Sequence, residues 1–235
     1  MGININKNII IATIPSRIEA LKTVLDCVYD QCDNIYIVFN NYESIPTEIS
    51  DGDKITSVLN TSNKDANCAR WTYFKHVEGY IASIDDDIIY PEDYMETMIS
   101  KIDEYDKKVL VTVHGTRIIS PFNDYVKNTR IRSHFRTSLP NDVEVPLAGG
   151  GTSVFHTDYI KADRDFPLSL SNDIYVSHLA LRSSIPIVAI KRTEGWLKPI
   201  VGCEEGSIWN RTKQDRKYRL IKTNDVKKLI LPFTE

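Results

Sequence analysis

Tyr80-Ile81-Ala82-Ser83-Ile84-Asp85-Asp86-Asp87-Ile88-Ile89-Tyr90-Pro91 is the stretch that decides the fold. Its first five residues are an apolar run of strand length, three aspartates end it, and Pro91 opens a helical pattern over residues 91–105. Proline suits a first helical turn because its missing N–H has no partner there. A strand that ends in charge and turns into a helix is the building unit of an α/β sheet. Upstream, the same unit recurs. Residues 9–12 read as a strand, and residues 17–29 as a helix with Ile18, Leu21, Leu25 and Val28 on one stripe. Strands follow at 34–39 and 54–59, then a helix at 65–77 whose N-cap falls among Ser62, Asn63 and Asp65. Residues 109–113 form a further strand. The alternation predicts right-handed crossovers and one Rossmann-like α/β domain, with a mainly parallel central sheet flanked by helices. Ligands of such sheets bind beyond the carboxyl ends of the strands, which directs attention to residues 13–17, 40–42 and 85–87.

Composition narrows the class of protein. With 42% hydrophobic and 26% charged residues in 235, and 29 basic against 32 acidic side chains, the net charge is −3. These values exclude disorder and a generally basic nucleic-acid binder. The longest apolar runs, 9–12 and 109–113, fall far short of the roughly 18 residues of a membrane span. Met1 to Lys7 lacks a basic cluster followed by an apolar run, so no secretory signal is predicted and cytoplasm is the default compartment. Cys27, Cys32, Cys68 and Cys203 form no CxxC pair and have no histidine at zinc-finger spacing, so reduced, mostly buried thiols are expected.

The second half is less regular. Residues 120–142 lack periodicity and gather Lys127, Arg130, Arg132, His134 and Arg136, which reads either as a solvated loop or as an anion- or acceptor-binding loop. Gly149-Gly150-Gly151 precedes a strand at 152–156, a helix spans 172–182, and 186–190 is the last core strand. The tail at 207–228, rich in Lys and Arg, either covers a site or lies on an anionic membrane surface.

The acidic triplet carries the chemistry. Twenty aspartates in this chain produce roughly 1.7 D-x-D patterns by chance but only roughly 0.14 triplets. Adjacent like charges at the edge of a low-dielectric core are costly, and a divalent cation removes that cost. Period-two alternation sends Asp85 and Asp87 to one side and Asp86 to the other. Two carboxylates leave a magnesium or manganese ion open positions for diphosphate oxygens and water. The competing reading is a turn with a helix-capping charge cluster.

With these residues in place, the runs IATIPSRIEALKTVLDCVYDQCDNIYIVFNNY, KDANCARWTYFKHVEGYIASIDDDIIYPEDY and SNDIYVSHLALRSSIPIVAIKRTEGWL resemble the GT-A glycosyltransferases, specifically bacterial or phage enzymes similar to family 2. The resemblance covers about residues 9–197. It implies a GT-A domain over 1–200, with a donor-binding half at about 1–115, an acceptor-side half at about 116–200, and a basic extension, 201–235, packed on the same domain. It also implies that Thr13, Ile14, Pro15 and Arg17 line the nucleotide of a sugar-nucleotide donor. Asn40 and Asn41 would recognise base or ribose, and Asp65 and Arg70 nucleoside and phosphate. Asp85, Asp86 and Asp87 correspond to the family's D-x-D, Asp85 and Asp87 as ligands of Mn²⁺ or Mg²⁺ and the triplet also touching the ribose. Gly150 and Gly151 resemble the floor where donor sugar and acceptor meet, and Asp173 matches the catalytic carboxylate. A downstream histidine is a further metal ligand in some members, here His178 or His156; a hydrogen-bonded histidine is the plainer reading.

The expected activity is therefore metal-dependent, inverting transfer of a sugar from a nucleotide diphosphate, UDP-sugars favoured, to a hydroxyl of a glycan or lipid-linked acceptor in surface polysaccharide synthesis. A metal stabilises the departing diphosphate and a base takes the hydroxyl proton. A carboxylate at a helix N-terminus is kept ionised by the helix dipole, which suits Asp173 to that role; an ordinary N-cap is the alternative. Two other classes remain: a nucleotidyltransferase, whose glycine-rich signature after the first strand residues 13–17 lack, and a non-catalytic sugar-nucleotide-binding module.

Overall fold

The computed structural model describes residues 6–49, 52–62, 66–127, 130–162, 171–203 and 207–234. Its strands are β1 (Lys7–Thr13), β2 (Asn34–Asn40), β3 (Ile55–Asn60), β4 (Tyr80–Ile84), β5 (Ile88–Ile89), β6 (Leu110–Thr112), β7 (Gly115–Ile118), β8 (Arg130–Ser133), β9 (Val143–Glu144), β10 (Leu147–Ala148), β11 (Thr152–His156), β12 (Ile187–Ala189) and β13 (Lys198–Pro199). The helices are α1 (Ile18–Val28), α2 (Ala69–Phe74), α3 (Tyr94–Asp103), α4 (Asn172–Arg182), α5 (Ile208–Gln214) and α6 (Arg216–Leu229).

Eight strands form the central sheet in the order β3-β2-β1-β4-β11-β6-β12-β9. The four strands from β3 to β4 are mutually parallel, as is the β6–β12 pair, while β11 runs antiparallel to both its neighbours. The central strands are buried on both faces, which explains why β1 reads Ile9-Ile10-Ile11 without alternation. Ile9 and Ile11 pack with Leu21, Val24 and Val28 of α1 and Met95, Met98 and Ile102 of α3. Ile10 and Ala12 face the other way, onto Trp71 and Phe74 of α2 and Tyr175, Val176 and Leu179 of α4. Each such fully buried aliphatic contributes about 1.5–3 kcal/mol. A third cluster joins Phe122, Tyr125 and Ile174 to Val226 and Ile230, fastening α6 onto the domain.

The structure changes several expected boundaries. Residues 66–68 are a 3₁₀ turn and the α-helix is confined to Ala69–Phe74; Ala66 has φ 45°, a left-handed conformation that keeps it out of an α-helix. Pro91 lies before α3, its carbonyl accepting from Tyr94 N–H at 3.1 Å, and left-handed Asp106 and Lys107 close the segment that follows the helix. In the aperiodic stretch 120–142, residues 130–133 pair antiparallel with β7; four residues are too few to display a period. The division near residue 115 does not divide the sheet, since β11 from the second half sits between β4 and β6.

Candidate active site

β4 ends at Ile84, and the three aspartates continue as a turn at its carboxyl end. Asp86 is buried, its side chain 4% exposed, whereas Asp85 and Asp87 are 28% and 26% exposed. The alternation is incomplete, because the turn lets one nitrogen of Arg17 reach two carboxylates: Arg17 Nη1 lies 2.7 Å from Asp86 Oδ1 and 3.0 Å from Asp87 Oδ2. Arg17 Nη2 donates to the Cys203 carbonyl at 3.0 Å, tying the site to the segment after β13. Burial, then repulsion from Asp85, raises the Asp87 carboxyl to about 7 against the pull of Arg17. Burial also raises Asp86, with Arg17 opposing.

A buried hydrogen-bond network places the glycine loop and α4 against this turn. Ser83 Oγ donates to the Gly150 carbonyl at 2.6 Å and accepts from Arg70 Nη1 at 2.8 Å and Asn172 Nδ2 at 3.1 Å. Trp71 Nε1 donates to Asn172 Oδ1 at 2.7 Å. Asp85 N–H donates to the Tyr90 hydroxyl, which donates to the Gly151 carbonyl at 2.6 Å. The glycines are required by close approach: a Cβ on Gly151 would collide with the Asp85 carboxylate, and one on Gly150 with Asn172. Gly150 N–H donates to Asp173 Oδ1 at 2.8 Å, and the Tyr125 hydroxyl lies 3.4 Å from Asp173 Oδ2. Ser171 is the N-cap of α4, so Asp173 spans the gap to the loop instead of capping its own helix.

Two cavities meet here. The first, about 220 Å³, is lined by Thr13, Ile14, Arg17, the three aspartates, Gly151 and Asp173. The second, about 450 Å³, shares Asp85, Asp87, Tyr125, Asp173, Ser207 and Trp209 with it and extends along β8 and α5. Other expected residues stand elsewhere. Pro15 and Asn41 line neither cavity, and Asn40 is buried, donating to the Ala66 carbonyl and accepting from Asn60. Arg70 is fully buried and braces the turn, its Nη2 3.2 Å from Asp85 Oδ1. Gly150 supports the floor from beneath. Asp65 lies outside the described residues.

The histidines are corrected most. His178 turns to the C-terminal segment, with Nδ1 2.9 Å from the Leu229 carbonyl and its ring against Phe233, and lines neither cavity. The antiparallel register pairs Thr152 with Ile84 and His156 with Tyr80, so His156 stands at the far end of β4 from the aspartates. Among the described residues no three His, Cys, Asp or Glu side chains cluster to hold a metal. Asp85 and Asp87 remain the suitable pair: they repel each other, they reach both cavities, and two carboxylates suit magnesium or manganese shared with diphosphate oxygens. Arg192, Lys198 and Arg211 line neither cavity, and Trp196 packs on Tyr94.

Sequence reasoning missed several lining residues. Ala66 and Asn67 replace Asn40 and Asn41 at the first cavity, signalled only by the backbone of Ala66. Tyr125 and Asn172 carry no pattern of their own. The tail, by contrast, takes the first of its two expected positions, since Ser207, Ile208, Trp209 and Lys222 line the first cavity; no helix among the described residues is long and apolar enough to cross a membrane.

No family model matches the sequence, and no curated protein matches it. Among solved structures the chain is similar to the crystal structure of GalNAc-T7 with UDP, GalNAc and Mn²⁺, with a TM-score of 0.55 and 9% identity. The match covers 83% of this chain and 46% of that one, so the chain spans under half the length of that protein. At this identity the likeness is one of fold, and the fold is GT-A, the α/β architecture of a large class of glycosyltransferases. The narrower likeness to family 2 bacterial or phage enzymes has no support in these matches.

Proposed function

We propose that the chain is a metal-dependent, inverting glycosyltransferase that moves a sugar from a nucleotide diphosphate, with UDP-sugars favoured, to a hydroxyl of a glycan or lipid-linked acceptor. The observation that carries this reading is that Asp85, Asp87 and Asp173 line the same two cavities. The UDP and Mn²⁺ of the GalNAc-T7 structure are consistent with the donor and ion. Asp85 and Asp87 would hold Mn²⁺ or Mg²⁺, which supplies Lewis-acid stabilisation of the leaving diphosphate. Arg17 adds a fixed positive charge beside them, and its buried Nε has no acceptor among the described residues. The acceptor hydroxyl oxygen bonds to the anomeric carbon as the bond from that carbon to the diphosphate oxygen breaks. The diphosphate leaves with the electron pair, and the hydroxyl proton passes to Asp173.

The test is calorimetric titration of UDP with and without Mn²⁺, in the parent and in Asp87→Ala. Binding that requires Mn²⁺ and vanishes in a folded Asp87→Ala supports the reading. Unchanged metal-dependent affinity in that variant moves the site elsewhere.

A further inference from the structure

The second cavity holds more positive charge than the first cavity's chemistry uses. Arg132 on β8 lies opposite Thr116 in the hairpin, and Trp209 and Lys213 lie one turn apart on α5. The Arg132 guanidinium stands 5.0 Å from the Trp209 ring centroid and Lys213 Nζ 5.3 Å from the same ring, while Arg136 stands 5.6 Å from that of Phe135. Among the described residues none of these three cations has a carboxylate within ion-pair distance. Cation–π contacts at exposed sites are worth only about 0.5–1 kcal/mol and leave the charge unneutralised. The consequence is visible at His134, between them: burial and then Arg136, Arg132 and Arg192 lower its imidazole to about 4. These cations thus line the same cavity of about 450 Å³ as Asp85, Asp87 and Asp173, enough room for a sugar.

We propose that this cavity binds a phosphorylated acceptor, its phosphate ester against Arg132, Arg136 and Lys213 and its sugar beside Trp209, Phe135 and Asp173. A planar carboxylate is satisfied by one guanidinium fork, whereas a phosphate monoester, or the diphosphate of a lipid-linked sugar, presents three or more acceptor oxygens and nearly two charges. Three cations from two separate elements match the second. The role of the sugar hydroxyl rests on the transferase reading, but the anion site does not.

The experiment titrates glucose 1-phosphate into the full chain in EDTA, with glucose as the neutral control and Arg132→Gln/Arg136→Gln/Lys213→Gln as the variant. All three side chains are exposed, so the variant should melt with the parent. The expected results are saturable binding of glucose 1-phosphate, none of glucose at the same concentration, and at least tenfold weaker binding in the variant. On NMR titration His134 should gain a higher pKa when the parent is saturated. Equal affinity for glucose and glucose 1-phosphate, or unchanged affinity in the variant, overturns the proposal. A parallel UDP–Mn²⁺ titration separates the two readings: absent in both proteins, it sinks the transferase reading and leaves the anion site standing. Lost only in the variant, it assigns the cations to the donor diphosphate and also overturns the proposal. A prenyl-diphosphate-linked glucose identifies the source, since tenfold tighter binding than glucose 1-phosphate assigns the phosphate to a lipid carrier and equal binding to a glycan. Either result upholds the phosphate site.

Discussion

Around the first cavity the aspartates are held by the protein's own cations, Asp86 and Asp87 by Arg17 and Asp85 by Arg70, whereas around the second Arg132, Arg136 and Lys213 rest on aromatic rings and meet no carboxylate among the described residues. The first region is a set of buried strand ends with fixed geometry; the second is a short hairpin and a seven-residue helix with exposed charge. The contrast separates two tasks. Fixed dipoles and charges that need no reorganisation suit a reacting centre, while cations that meet no carboxylate among the described residues suit capture of something that arrives charged.

Asp173→Asn tests the division between the two cavities most severely. It keeps the side chain's size and removes its basicity, so kcat should fall by on the order of 10² to 10⁴ while metal-dependent UDP binding persists. Near-normal turnover, or a product that retains the donor's anomeric configuration, removes Asp173 from the reaction. Gly151→Ala is next. The added methyl must displace Asp85, so Mn²⁺ affinity measured by electron paramagnetic resonance should weaken by roughly 10- to 100-fold, the usual cost of disturbing a ligand's support. An unaltered affinity would mean that Asp85 is not a ligand. Ser83→Ala strips a buried hydroxyl from Arg70, Gly150 and Asn172, and urea melts should show a loss of about 1–3 kcal/mol.

The smallest effect is in pH. The folded Asp87 carboxyl titrates near 7, above its ordinary value of 3.8, so the folded state binds more protons than the unfolded one between those values. Metal-free stability should therefore decline as pH rises from about 4 to about 7 and stay flat beyond that, as far as Asp87 contributes. Saturating Mn²⁺ should reduce the decline, and thermal melts across that range with and without the ion check it.

Legibility in the sequence followed the same division. The buried parallel strands could be read because burial on both faces writes an uninterrupted apolar run, as in Ile9 to Ile11, and α4 matches its expected bounds because its start and stop are both local. Position along a strand did not betray direction: β11 looks like any core strand, and only its antiparallel pairing shows that Thr152, not His156, stands beside the aspartates. Side chains carried through the fold were equally hidden. Arg70 looks like a phosphate ligand until Ser83 and the Ile84 carbonyl claim its donors, and Trp209 reaches the cavities only through the docking of α5 and α6.

The position of β11 has a consequence for taking the molecule apart. It is contributed by the later part of the chain yet bonds to β4, whose end carries the acidic turn, and to β6 on its other side. A fragment stopping after β7 would expose the edge of β4 from Tyr80 to Ile84, five consecutive buried residues, as an open template for pairing with other chains. Two-piece reconstitution should accordingly work only where the break leaves β4 with both β1 and β11, such as between β11 and α4, and fragments cut at the apparent half-way point should aggregate before they meet.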